Sequence, residues 1–274
     1  MATGKELLNG SVSELVLAGG EVKLPSRVRS DEAYKRKVSQ QDPRGFVQVK
    51  DGGVKPVSKT LTLTQAGTLL SLIAYVGDAE GTLIHNGEKL GAEKLSKLLG
   101  VSKRSIQTNI SELVNFGYVL AHKEGRKVYY SVNGKLALRG KKAEEGFFSK
   151  VYIVKLRELS KKLTPQELGL LFNMIPYFNT RYYTLCRNPY ELDPSKVELF
   201  DRERFAEEIG VSLVQVKRLI TNLMKKQALV GIRTCRTAII ITPKLVSRQN
   251  KFVELEEVTD IIGNELNVRE RMEW

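Results

Sequence analysis

Apolar residues recur at two spacings along this chain, and the switches between them mark its elements. From Ala92 to Gly117, AEKLSKLLGVSKRSIQTNISELVNFG, the spacing is helical. Leu95, Leu98 and Leu99 share one face of a short helix, with Glu93, Lys94, Ser96 and Lys97 on the other. Gly100 ends it, because glycine takes the left-handed geometry of a helix C-cap. Ser102 can cap a second helix through its hydroxyl, and Ile106, Ile110, Leu113 and Val114 give that helix its inner face. Lys103, Arg104, Ser105, Gln107, Thr108 and Ser111 are left outside.

The flanking segments read differently. FVQV from Phe46 is strand-like, Gly52-Gly53 reads as a turn, Thr64 to Val76 as a largely buried helix, and Gly81 to Asn86 as extended. After the helix pair, Tyr118 to Ala121 and Val128 to Asn133 alternate as strands, with turn chemistry around Gly125 between them. Three helices followed by a β-hairpin is the order of a winged helix. Its wing would be Lys123 to Lys127.

A shift of 102 residues repeats this unit. Phe46 and Val49 fall on Phe148 and Val151, Leu61-Thr62 on Leu163-Thr164, Gly67 on Gly169, and Tyr75 on Tyr177. Thr82, Leu83 and Asn86 fall on Thr184, Leu185 and Asn188. Past an insertion of eight residues, LLGVS (98–102) becomes EIGVS (208–212), and Ile106, Ile110 and Leu113 become Val216, Ile220 and Leu223. The expected fold is therefore α+β, mainly α, with two tandem winged-helix domains. They span 46–146 and 147–250, preceded by an arm or linker (1–45) and followed by an acidic amphipathic helix (251–274). The second outer helix face carries Gln215, Lys217, Arg218, Thr221 and Asn222, and its wing keeps Arg233 and Arg236. Leu213 and Val214 stand where the first copy has Lys103 and Arg104. In the last segment Phe252, Leu255, Val258, Ile261, Ile262 and Leu266 form an apolar stripe. That stripe must bury against its own domain or against a second copy in a homodimer.

Charge gives the outer faces a meaning. The net charge is +13, and the excess sits in the two copies: +6 over residues 46–146 and +9 over 147–250, against +2 before them and −4 after. Such a balance favours a polyanionic partner. In the arm, Lys35, Arg36 and Lys37 could follow a phosphate backbone, but a solvated tether explains them as well. Two cysteines, Cys186 and Cys235, are too few for a disulfide scaffold and suit a cytoplasmic protein. No apolar run approaches the roughly 20 residues of a membrane span, and the N-terminus lacks a signal-peptide layout.

Enzymatic signals are weak. His85 and His122 are the only histidines, and His85 corresponds to Arg187 in the second copy. The cysteines fit no zinc spacing, and Cys186 aligns with Ile84, an apolar position. Tyr75 and Tyr177 fit core or anchoring roles. No phosphate-binding glycine motif or nucleophile elbow occurs. No enzyme, cofactor or metal site is expected. DNA binding instead needs donors and cations on a shape that fits a groove. Bidentate Arg to guanine and Gln to adenine confer specificity, which points to Arg104, Gln107, Gln215 and Arg218. Lys103, Lys123, Arg126, Lys127, Lys217, Arg233 and Arg236 suit phosphate or minor-groove contacts.

The L-x-G-V-S motif, its Ile-rich helix and a wing ending YYSVN resemble winged helix-turn-helix regulators. The tandem arrangement, with GVSLVQVKRLITNLMKKQALV and IIITPKL in the second copy, is similar to replication initiators of plasmids and phages. The resemblance covers most of residues 46–247. It implies double-stranded DNA as ligand, repeated or inverted sites, and a capacity to dimerise. A transcriptional regulator is the first expectation and a replication initiator binding origin repeats the second. A protein-interaction or structural protein, favoured for the second copy by Leu213 and Val214, is the rival from another class.

Overall fold

The strand expected at FVQV joins the two halves of the molecule. The computed structural model describes residues 26–32, 42–78, 80–140, 146–233 and 237–266, with Arg233 and Thr237 described for backbone only. In the first copy β1 (Phe46–Lys50) leads into two helical turns, α1 (Asp51–Val54) and α2 (Val57–Thr60), and then α3 (Leu63–Ile73). A small ladder of β2 (Ile84–His85) and β3 (Glu88–Lys89) precedes α4 (Ala92–Leu99) and α5 (Lys103–Asn115). A hairpin of β4 (Val119–Glu124) and β5 (Lys127–Val132) follows, then β6 (Ala137–Leu138). The second copy runs β7 (Phe148–Tyr152), α6 (Ile153–Lys162), α7 (Pro165–Met174), α8 (Arg202–Ile209), α9 (Leu213–Lys225), β8 (Leu229–Arg233), β9 (Thr237–Ile241) and β10 (Val246–Ser247). The last helix among the described residues is α10 (Leu255–Glu265). The class is α+β.

Hydrogen-bond registers repeat along with the sequence. The bridge Val76 to Leu83 recurs as Phe178 to Leu185, and Thr82 to Ser131 recurs as Thr184 to Ile240. Gly100 and Gly210 close α4 and α8 in the same left-handed conformation, both at φ 67°. Ser102 and Ser212 both cap the following helix, accepting from the N–H three residues on.

The copies are related by an approximate dyad. β1 pairs antiparallel with β7, and Gln48 faces Lys150, its own counterpart at the 102-residue shift. The pair Phe46–Tyr152 is matched by Lys50–Phe148 on the other side of that point. The four-stranded order β10-β7-β1-β6 is symmetric about the same line. The helices α3 and α7 obey it too. A Cβ on Gly67 would sit 1.9 Å from the Pro165 carbonyl oxygen, and one on Gly169 would sit 1.9 Å from that of Leu63. Each glycine thus admits the backbone of the other copy, and one continuous apolar core runs through both.

Several expectations change. Gly52 and Gly53 lie inside α1, not in a turn, and Gly53 is needed because a Cβ there would meet the Lys135 carbonyl at 2.8 Å. The first hairpin pairs up to Glu124 and Lys127, so its loop is only Gly125 and Arg126, with Gly125 at a positive φ of 59°. The stripe of α10 is covered in part within the chain, with Leu255 and Ile261 half-buried and Phe252 exposed. Val258, Ile262 and Leu266 are buried, and Glu265 accepts from Tyr182 and pairs with Arg181. The eight-residue insertion also gains a role. Tyr190 donates to Asp51, stacks on Phe147 and lies beneath Arg248, whose guanidinium pairs with Asp51 at 2.7 Å. Burial pushes the Asp51 carboxyl up, and Arg248 only partly offsets it.

Residues 26–32 are helical where a polar tether was expected. They fall, with 42–43 and 250–252, in a separate unit from 44–249 and the residues after 252. Leu7, Leu8, Leu15 to Leu17 and Lys35 to Lys37 lie outside the described residues. Among the described residues no helix is long and apolar enough to cross a membrane.

Candidate nucleic-acid interface

The outer face of α5 is built from its N-cap. Ser102 is extended, at φ −62° and ψ 146°, and its Oγ accepts from the Ser105 N–H at 3.1 Å. Ile106, Ile110 and Leu113 are buried beneath the helix. That phase leaves Lys103, Arg104, Ser105, Gln107 and Thr108 all exposed, as their spacing predicts. Thr108 is partly spoken for, because its hydroxyl donates to the Arg104 carbonyl at 3.1 Å. Two cations in a first helical turn oppose the positive end of the helix dipole, at a cost of about 0.3–1 kcal/mol each. A bound polyanion reverses that sign.

On α9 the same phase exposes Lys217, Arg218 and Thr221 but leaves Gln215 half-buried. Arg218 reaches sideways to Gln166 at 3.3 Å, and the Thr221 hydroxyl turns back to the Lys217 carbonyl. Val214 is 80% exposed, where the first copy carries Arg104. The two helices thus share a frame and differ in chemistry.

In the first hairpin Lys123, Arg126 and Lys127 are exposed. Its acid, Glu124, is taken by Lys89, and Glu88 nearby is taken by Lys94 at 2.5 Å. Both the hydrogen bond and the charge of Lys94 hold the Glu88 carboxyl below its usual range. The local acids are thereby spent on cations outside the predicted set. At the second hairpin Arg236 and the side chain of Arg233 lie outside the described residues.

The residues that aim these helices were not singled out from the sequence. Thr62 and Gln65 form a capping box on α3, and Gln65 also donates to Glu112 on α5. Thr164 and Glu167 form the matching box on α7, and Glu167 accepts from Lys226 just past α9 at 2.7 Å. Asn109 adds a bond from α5 to Thr68 of α3 at 3.2 Å. The signal was present as T-x-x-Q at 62–65 and T-x-x-E at 164–167. Its second use, tethering the outer helix, is a tertiary contact. Burial pushes the Glu167 carboxyl up, but Lys226 and the capping bonds outweigh it and leave it below its usual value.

Residues weighed for chemistry fall elsewhere. Cys186 is buried, and its thiol is pushed up to about 12, chiefly by burial. Tyr75 is buried against His85 edge to face, and Tyr177 donates to Glu208 at 2.9 Å. His122 bonds Ser131 at 2.7 Å on one face of the hairpin. Cys235 lies outside the described residues. Among the described residues no three His, Cys, Asp or Glu side chains converge as a metal site would need. Comparison with protein-family models, curated proteins and solved structures finds no match for this chain.

Proposed function

We propose that the chain is a sequence-specific double-stranded DNA-binding protein made of two fused winged helices, acting as a transcriptional regulator of phage or plasmid type. The observation that carries this reading is the pair of capped outer helices, α5 and α9. They are held by matching tethers on either side of one dyad, and both bear cations on the face turned outward, with the Gln107 amide exposed on α5 and Gln215 half-buried on α9. Helices related by a dyad meet a duplex in opposite orientations, so the site is an inverted repeat. It is an imperfect one. Lys103 and Arg104 suit guanine and phosphate, whereas Leu213 and Val214 suit thymine methyl groups. The hairpin cations Lys123, Arg126 and Lys127 add backbone contacts that set register.

Titration against random duplex at several salt concentrations tests the core of this reading. Six phosphate contacts give a slope of log affinity against log salt of about −5. Selection from a randomised library should then return an inverted site with one half richer in A·T. A flat salt response ends the DNA reading. The exposed Val214 favours protein contact as the second reading for α9, and a selected site with only one ordered half would establish it.

A further inference from the structure

A cleft of about 500 Å³ lies behind the first helix-turn-helix, a volume in the range of small-molecule sites. Its walls come from both copies: α3, the α4–α5 turn at Leu99 to Val101, the start of α5, and the α6–α7 connection. Six neutral polar side chains line it, namely Thr64, Thr68, Ser71, Ser105, Asn109 and Ser160. Leu98, Ile106, Leu163 and Leu168 supply apolar wall. Among the described residues its only charged lining side chains are Lys97 and Lys161, and no carboxylate lines it. Lys97 shares Glu93 at 3.1 Å, while Lys161 makes no ion pair among the described residues. The Ser160 Oγ is buried and has no hydrogen-bond partner. A buried hydroxyl left alone costs about 1–3 kcal/mol, and this one lies just under the cleft wall, out of direct contact with solvent.

The dyad supplies an internal control. Thr68 corresponds to Leu170, and Asn109 to Leu219, both fully buried in the second copy. Ser160 corresponds to Ser58, whose hydroxyl is satisfied by the Lys55 carbonyl. At these two positions the second copy closes with leucine, whereas Thr64, Ser71 and Ser105 correspond to Gln166, Asn173 and Gln215, which stay polar as Ser58 does. At positions 68 and 109 one fold tolerates both, so a polar side chain there is not a requirement of the fold.

We propose that this cleft is an effector site for a small phosphate monoester carrying a hydroxylated ring, with a ribonucleoside monophosphate as its probe. A phosphate monoester brings a charge of about −1.5 to −2 at neutral pH, which Lys161, together with Lys97 drawn from its pair with Glu93, would match. The Thr64 and Ser105 hydroxyls meet the sugar and the apolar wall meets the ring, while the Thr68 and Ser71 hydroxyls already donate to the Thr64 and Gly67 carbonyls and the Asn109 amide to Thr68. An occupant spans the turn that orients α5 and the α6–α7 segment of the other copy. Binding there fixes the first outer helix relative to the dyad and raises DNA affinity. This last step rests on the DNA-binding reading above.

Thermal unfolding of the full chain with each of the four ribonucleoside monophosphates tests the site without DNA. Uncharged nucleosides and inorganic phosphate are the controls. A monophosphate should raise Tm by about 2–4 °C near saturation, and neither control should do so. Ser160→Leu, which fills the cleft, and Lys161→Ala, which removes its unpaired cation, should each abolish the shift. Lys161 is exposed, so that variant remains informative even if Ser160→Leu does not fold. The same nucleotide should tighten wild-type binding to the selected duplex about 5-fold or more. No shift with any of the four, an equal shift with inorganic phosphate, or a shift surviving in Lys161→Ala would overturn the site. A Tm shift in a protein with no salt-dependent DNA binding would keep the site and sink the function. Normal DNA binding with no nucleotide response would do the reverse.

Discussion

Arg104 and Val214 occupy one position of the repeated unit and illustrate how much a single residue decides. Both project from the first turn of a capped, thirteen-residue helix, so their difference is chemical and not geometric. Arginine can fork onto guanine, while valine can only cover a methyl group. Arg104→Ala is expected to cost about 1–3 kcal/mol on the selected site and little on random duplex, read from binding isotherms at matched salt. An equal loss on both would make Arg104 a phosphate contact. The position was legible from the period of Ile106, Ile110 and Leu113. The competing bonds of Thr108 and Thr221 were not, because a hydroxyl that donates back four residues leaves no mark on periodicity.

At the scale of elements, the outer helices depend on what holds their far ends. Glu167 is 2% exposed and serves two partners at once, the cap of α7 and Lys226 beyond α9. Because its folded pKa lies below the unfolded value near 4.5, its stabilisation is complete above that pH and is lost as pH falls through the folded value. Urea midpoints should therefore drop on acidification below about pH 4.5, and Glu167→Gln should flatten that drop. The variant should also lose about 1–3 kcal/mol at neutral pH, since Lys226 and the cap lose a charged acceptor. An unchanged pH profile would show that the bond to Lys226 contributes nothing. The boxes themselves could be read from T-x-x-Q and T-x-x-E. That each also ties down a helix of the same copy required coordinates.

For the whole molecule, the dyad is the governing feature, and two glycines permit it. Alanine is favoured over glycine inside a helix by about 1 kcal/mol, so helix propensity alone predicts that Gly67→Ala and Gly169→Ala stabilise. Packing predicts the opposite. A Cβ 1.9 Å from a backbone oxygen cannot be accommodated without separating α3 from α7, and each variant should lose about 3 kcal/mol or more. Gly263→Ala in α10 is the control, because nothing lies within 4 Å of its added Cβ, and it should gain about 0.5–1 kcal/mol. Denaturant midpoints of the three decide the matter. A gain in all three would mean that the copies are not locked through this contact.

The sequence by itself determined the repeat, the helix pairs, both hairpins and the exposed faces, down to Lys103, Arg104, Lys217 and Arg218. These follow from local rules, since apolar period, cap chemistry and glycine punctuation act over a few residues. Tertiary structure alone decided how the copies join. Phe46 and Phe148 were recognised as counterparts by their shared offset, yet nothing local says that their strands pair with each other. Gly67 and Gly169 were likewise counterparts before they were neighbours. The covering of α10, the docking of Tyr190 on Asp51 and the cleft beside Ser160 belong to the same class. Each depends on which surfaces meet, and that is settled by burying two faces together, not by the period of either one.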